Sequence, residues 1–227
     1  MGSIKKTARL AGLLYVVMSM MMVFSYMYLP AKFLVPGDAA ATARKITDAT
    51  LLYRIGVLTD LAAQILFIFV VLTLYQLFKD VNRTLARLMM VLVCVGVAAE
   101  IVNLANHMAP LLFLSGADYL SVFTKPQLDA LAMASLRSGN NLGQLLLAIW
   151  GLWLFPFGLL TIKSGFFPRV LGILLMFAGV AYVVSCVTSI VFPASLSVVS
   201  KVMMPLYFGE LPIVIWLLVM GAKEPQT

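Results

Sequence analysis

Of 227 residues, 63% are hydrophobic and 11% charged, and the mean hydropathy is +1.04. Soluble domains hold about 45–50% apolar and about 25% charged residues, so a soluble fold is excluded, and no segment between the apolar runs is long enough to build a core of its own. The net charge of +7 does not signify nucleic acid, because the basic residues stand in small groups at the ends of apolar runs, where they orient and anchor membrane spans.

Six runs are long enough to cross a bilayer. The first, Leu10–Tyr28, exceeds the 7–15 apolar residues of a signal peptide and is expected to remain as a span. Pro36-Gly37-Asp38 then opens a short helix over Ala39–Ala49, with Asp38 as its cap. The second span, Ile55–Phe78, begins beside Arg54 and carries Asp60 and Gln64 one turn apart.

The third span, Leu88–Phe113, holds Glu100, Asn103 and His107, the only histidine. At 100° per residue these three fall within roughly 60° of one another, on a face that also holds Gly96. A charged side chain at mid-membrane costs about 2.5–3.5 kcal/mol on the insertion scale, so this face calls for partners. Pairing of Glu100 with Arg54 or Arg137 is one way to supply them, and a proton-carrying or ligand-binding acid is the other.

Thr124-Lys125-Pro126-Gln127 resembles a capping box and predicts a second short helix reaching about Ser138. At Ser138–Asn141 the chain either breaks or continues into the fourth span, Leu142–Ile162. Arg137, Asn140, Asn141 and Gln144 cluster there within roughly 100° of arc. Pro156 frees the Leu152 carbonyl inside this span. The fifth span is Val170–Phe192, whose Ser185, Cys186, Thr188 and Ser189 suit helix contacts. The sixth, Val202–Met220, follows Lys201 and contains Glu210 between Pro205 and Pro212, a weakened stretch fit for a hinge or binding element.

Together these predict an all-α integral membrane bundle of six transmembrane helices in three hairpins, a single transmembrane domain over residues 1–227, with two short outer interfacial helices. Arg9, Arg87 and Arg169 open the odd-numbered spans 78 and 82 residues apart, as three like-oriented hairpins would. With the N-terminus inside, nine of the 16 Lys and Arg residues lie on the inner side and seven on the outer. Lys5, Lys6 and Arg9 flank the first span, which places both termini in the cytoplasm. In this orientation the buried polar residues of four spans fall in the outer halves, and the inner halves are almost purely apolar. That asymmetry predicts a polar pocket opening outward or a sealed polar network.

Several chemistries lack their residues. One histidine cannot supply a three-ligand zinc site or two-histidine haem ligation. There is no Gly-x-Ser-x-Gly elbow, phosphate-cradling glycine loop or Cys-x-x-Cys pair, and Cys94 and Cys186 both lie inside apolar runs. No metal and no cofactor is expected.

Six stretches together resemble a bacterial multi-pass membrane family known as domain of unknown function 4386. They are Thr7–Gly12, Leu74–Lys79, Glu100 with Asn103, Gly143–Leu159, Pro168–Gly172 and Gly209-Glu210, and the likeness runs from about Ala8 to Gly221. It implies a prokaryotic inner-membrane location and brings no activity or catalytic residue.

The expected function is therefore a small-ligand-binding or transporter-like membrane protein with an outward-facing site. Its candidate residues are Glu100, Asn103, His107, Arg137, Asn140, Asn141, Gln144, Glu210, Arg54 and Asp60. The expected partners are the lipid bilayer, a small polar or lipid-like ligand and, since 227 residues are few for a carrier, a second copy in a homodimer. Two alternatives stay open: a membrane-embedded enzyme on a lipid-like substrate, with Glu100 or His107 as acid and base, and a structural or accessory membrane subunit.

Overall fold

The computed structural model describes residues 4–223. Among them are seven helices and no strand: α1 (Ile4–Phe33), α2 (Ala39–Asp48), α3 (Thr50–Phe78), α4 (Arg83–Phe113), α5 (Lys125–Ser164), α6 (Arg169–Val191) and α7 (Pro193–Val219). All but α2 are long and apolar enough to span a membrane. Large apolar side chains cover the outside as well as the inside, with Val102 70% and Met20 68% exposed. Water would penalise such a surface, and hydrocarbon, as apolar as the side chains themselves, does not.

The helix signals read from the chain act locally as expected. The Asp38 side chain accepts from the Ala41 N–H at 2.8 Å and starts α2. The Gln127 side chain accepts from the Thr124 N–H at 2.8 Å and starts α5. Of the two courses open at Ser138–Asn141, the chain takes continuation: α5 runs unbroken from Lys125 to Leu152, so the helix begun at the capping box is the first part of the fourth span. It breaks at Trp153, close to Pro156, and resumes as Leu154–Ser164. Gly165 ends it in the left-handed region at φ 67°, which only glycine adopts without strain.

Proline also shapes α1 and α7. Pro30 has no N–H to give the Tyr26 carbonyl, and residues Phe24–Tyr28 widen into a π turn in which the Leu29 N–H bonds the Phe24 carbonyl. In α7, Pro205 and Pro212 flank a 3-10 turn at Phe208–Glu210 that separates Leu196–Tyr207 from Leu211–Val219.

The chain forms two compact units. One comprises Met1–Met18, Ile65–Ala99 and Gln144–Thr227. Its helices touch backbone to backbone: a Cβ on Gly158 would meet the Gly172 carbonyl oxygen at 2.6 Å, and one on Gly151 the Gly179 oxygen at 2.6 Å. Small residues drive this packing because lipid offers no hydrophobic push between helices, and close van der Waals contact must replace it. An aromatic core fills the same unit. Phe67 stacks on Trp150 at 5.4 Å, and Trp153 stacks on Phe157 at 5.3 Å.

The other unit comprises Ser19–Gln64 and Glu100–Gly143. Its apolar nucleus is Leu29, Phe33, Ile46, Tyr53 and Leu136. Around that nucleus stand most of the polar residues singled out in the sequence.

Candidate functional site

In the second unit the polar face of α4 is a connected network. Asn103 is 2% exposed, and its side-chain amide donates to Glu100 Oε2 at 3.2 Å and to the Gly139 carbonyl at 3.1 Å. An amide has two N–H groups, so both bonds are made at once. Asn106 Nδ2 in turn donates to Asn103 Oδ1 at 3.2 Å. Gly139 makes this possible, because a Cβ there would stand 3.0 Å from His107 Nε2 and 3.1 Å from Asn106 Cβ. A side chain at position 139 would push the α5 carbonyl away from Asn103.

A second set comes from α3 and the π turn of α1. Asp60 and Gln64 are 7% and 1% exposed, and Gln64 Nε2 donates to Asp60 Oδ1 at 3.2 Å. Gln64 Oε1 is buried without a hydrogen-bond partner. The Tyr26 hydroxyl faces both Asp60 and Glu100, which are themselves close enough to interact. Ser25 Oγ donates to the Gly56 carbonyl at 3.4 Å, and the Tyr53 hydroxyl donates to the His107 carbonyl at 2.6 Å.

Some of these groups line a cavity of about 280 Å³. Ser25, Tyr26, Tyr53, Asp60, His107 and Asn140 supply its polar lining, and Leu29, Phe33, Leu34, Val57, Leu104 and Leu136 most of its apolar lining. The volume falls just under the ~300–1,000 Å³ common for drug-sized ligands, and the mixture of apolar wall and few polar groups is that of a small-molecule site.

The candidate residues thus divide. Asp60, His107 and Asn140 line the cavity, while Glu100 and Asn103 form the buried network described above. Arg54, Arg137 and Asn141 belong to the same unit and are exposed. Gln144 and Glu210 belong to the other unit.

Glu210 has a setting of its own in that first unit. It is half-buried, and its Oε2 accepts from the Tyr15 hydroxyl at 2.6 Å. Tyr182 directs its hydroxyl at the same carboxyl and stacks on Tyr207 at 5.1 Å. Tyr207 hydrogen-bonds Ser185, so this member of the fifth-span cluster does join α6 to α7. Cys186 Sγ donates to the Leu145 carbonyl at 3.4 Å, joining α6 to α5.

The tyrosines are what sequence reasoning missed. Tyr15, Tyr26, Tyr53 and Tyr182 supply hydroxyls to the acids or to the α4 backbone. One signal was available for two of them: transmembrane tyrosine favours the water interface, whereas Tyr15 and Tyr182 stand well inside their apolar runs. Tyrosine at that depth needs a hydrogen-bond partner, and a carboxyl is the strongest acceptor at hand.

The family model described as Domain of unknown function (DUF4386) matches residues 10–221. No curated protein and no solved structure matches the chain.

Proposed function

Because the chain belongs to the DUF4386 family of multi-pass membrane proteins, whose name states no activity, we propose its function from the cavity: it binds a small ligand from within or beside the membrane. The observation that carries the reading is the lining, in which six polar side chains interrupt an otherwise apolar wall. The π turn adds support. Such turns cost regular helix hydrogen bonding and concentrate at functional sites, and this one presents Ser25 and Tyr26 to the cavity. In this reading Asp60, His107 and Asn140 contact the ligand. Glu100 and Asn103 hold Tyr26 and the α5 backbone in place around it.

The lysine and arginine distribution supports a cytoplasmic location for both termini of a cell-membrane protein. The cavity is built from the end of α1, the start of α3, the end of α4 and the first part of α5. With both termini inside, chain direction makes these the outer ends of the four spans, which supports a site facing the outer surface.

The test is native mass spectrometry of the full chain extracted gently from its membrane, beside Val57→Phe, which fills the cavity from its apolar wall. A small molecule retained by the wild type and absent from the variant supports the reading. A molecule retained equally by both, or a wild type free of any, overturns it.

A further inference from the structure

The geometry points to a ligand class for the cavity: a small apolar molecule bearing one positively charged amine. This inference rests on the reading of the cavity as a binding site. Among the residues that line it, Asp60 is the one carboxylic acid, and no lysine or arginine is present. Asp60 is more than nine-tenths buried, and Glu100 stands close behind the same tyrosine hydroxyl. An anion placed in the cavity would meet this acidic side with no lysine or arginine to receive it, and only the His107 imidazole and the Asn140 amide to contact. A neutral ligand would leave the acid without a counter-charge, in surroundings where charge interactions are stronger than in water.

An ammonium group satisfies the wall as it stands. It has three donors and no acceptor, and the wall offers acceptors for them: the Asp60 carboxyl, the remaining lone pairs of Ser25 Oγ and the Asn140 side-chain oxygen. Ser25 already gives its hydrogen to the Gly56 carbonyl and is left to accept. Phe33, Tyr26 and Tyr53 add aromatic rings to the wall. Leu29, Val57, Leu104 and Leu136 are left for an apolar body.

The experiment uses the full chain in phosphatidylcholine nanodiscs and three probes of one shape: 2-phenylethylamine, 2-phenylethanol and phenylacetate. Binding is measured by ligand-observed NMR, with Val57→Phe as the background for partition into lipid, and Leu104→Phe in its place should that variant not fold. The amine is expected to bind about tenfold more tightly than the alcohol, which is one charge-assisted hydrogen bond's worth of affinity. Phenylacetate is expected not to rise above background, and Asp60→Asn to bring the amine down to the alcohol. The wild-type ratio of amine to alcohol decides the question even if Asp60→Asn does not fold. Equal binding of amine and alcohol above background overturns the amine class and leaves the binding site standing. A preference for phenylacetate overturns it in favour of recognition by His107 and Asn140. Absence of all three above background overturns the site and the class together.

Discussion

The two units of this chain solve the same problem in different ways. Both are built from helices in an apolar medium, where burying apolar surface gives little advantage over lipid. The unit holding Gly151, Gly158, Gly172 and Gly179 brings helix backbones into direct contact and packs Phe67, Trp150, Trp153 and Phe157 in stacked pairs, with a few side-chain hydrogen bonds such as Tyr15 to Glu210 added. The unit holding Glu100, Asn103 and Asp60 joins its helices through side-chain hydrogen bonds and keeps a cavity among them. Close packing fixes the distance between helices through backbone contact, and a polar network fixes it through placed donors and acceptors. On the proposed function, the first of these units is the scaffold and the second holds the site.

The sharpest way to break the contrast is at the closest helix contact. Gly158→Leu puts a Cβ 2.6 Å from the Gly172 carbonyl, where backbone and not a flexible side chain must yield. It is expected to cost more than about 3 kcal/mol or to abolish the fold, read by tryptophan fluorescence on heating in detergent. A change of less than about 1 kcal/mol would contradict the account of this unit.

The polar unit has its counterpart in Asn103→Leu. The change keeps the volume and removes the bonds to Glu100, Gly139 and Asn106. A loss of about 1–3 kcal/mol is expected, from the buried groups left behind. An unchanged melting temperature would mean that the network does not hold these helices.

Tyr15→Phe should do less. It takes from Glu210 its 2.6 Å donor, while Tyr182 still faces that carboxyl. A loss of about 0.6–1.7 kcal/mol is expected, from the mean to the maximum of hydrogen bonds measured between membrane helices. An effect above that range, followed in the same melting assay, would move Glu210 from local support to a central role in its unit.

The smallest effect has the opposite sign. Gly143 lies in α5 with nothing within 4 Å of a Cβ built on it. Gly143→Ala should therefore raise stability by about 0.5–1 kcal/mol through helix propensity alone. Destabilisation would show that this glycine has a neighbour or a motion that the contrast with Gly158 omits.

Much of this molecule is legible one residue at a time. Six spans follow from apolar runs, because hydrocarbon demands that each crossing segment satisfy its own backbone. The starts of α2 and α5 follow from Asp38 and from Thr124 with Gln127, because a helix N-terminus needs acceptors within three residues. The shared face of Glu100 and Asn103 follows from 100° per residue and is realised as a direct hydrogen bond. All of these interactions lie within a few residues along the chain, and local geometry determines them.

What only the tertiary structure decided lies far apart in sequence. That Asn103 meets the Gly139 carbonyl, that Tyr26 faces Asp60 and Glu100, and that Glu210 takes its hydrogen bond from Tyr15 depend on which helices are neighbours. Periodicity gives each helix its faces but not the partner opposite each face. In lipid the choice is made by close packing at particular glycines and by the pairing of a few polar groups, whose matches appear only when the helices are in place.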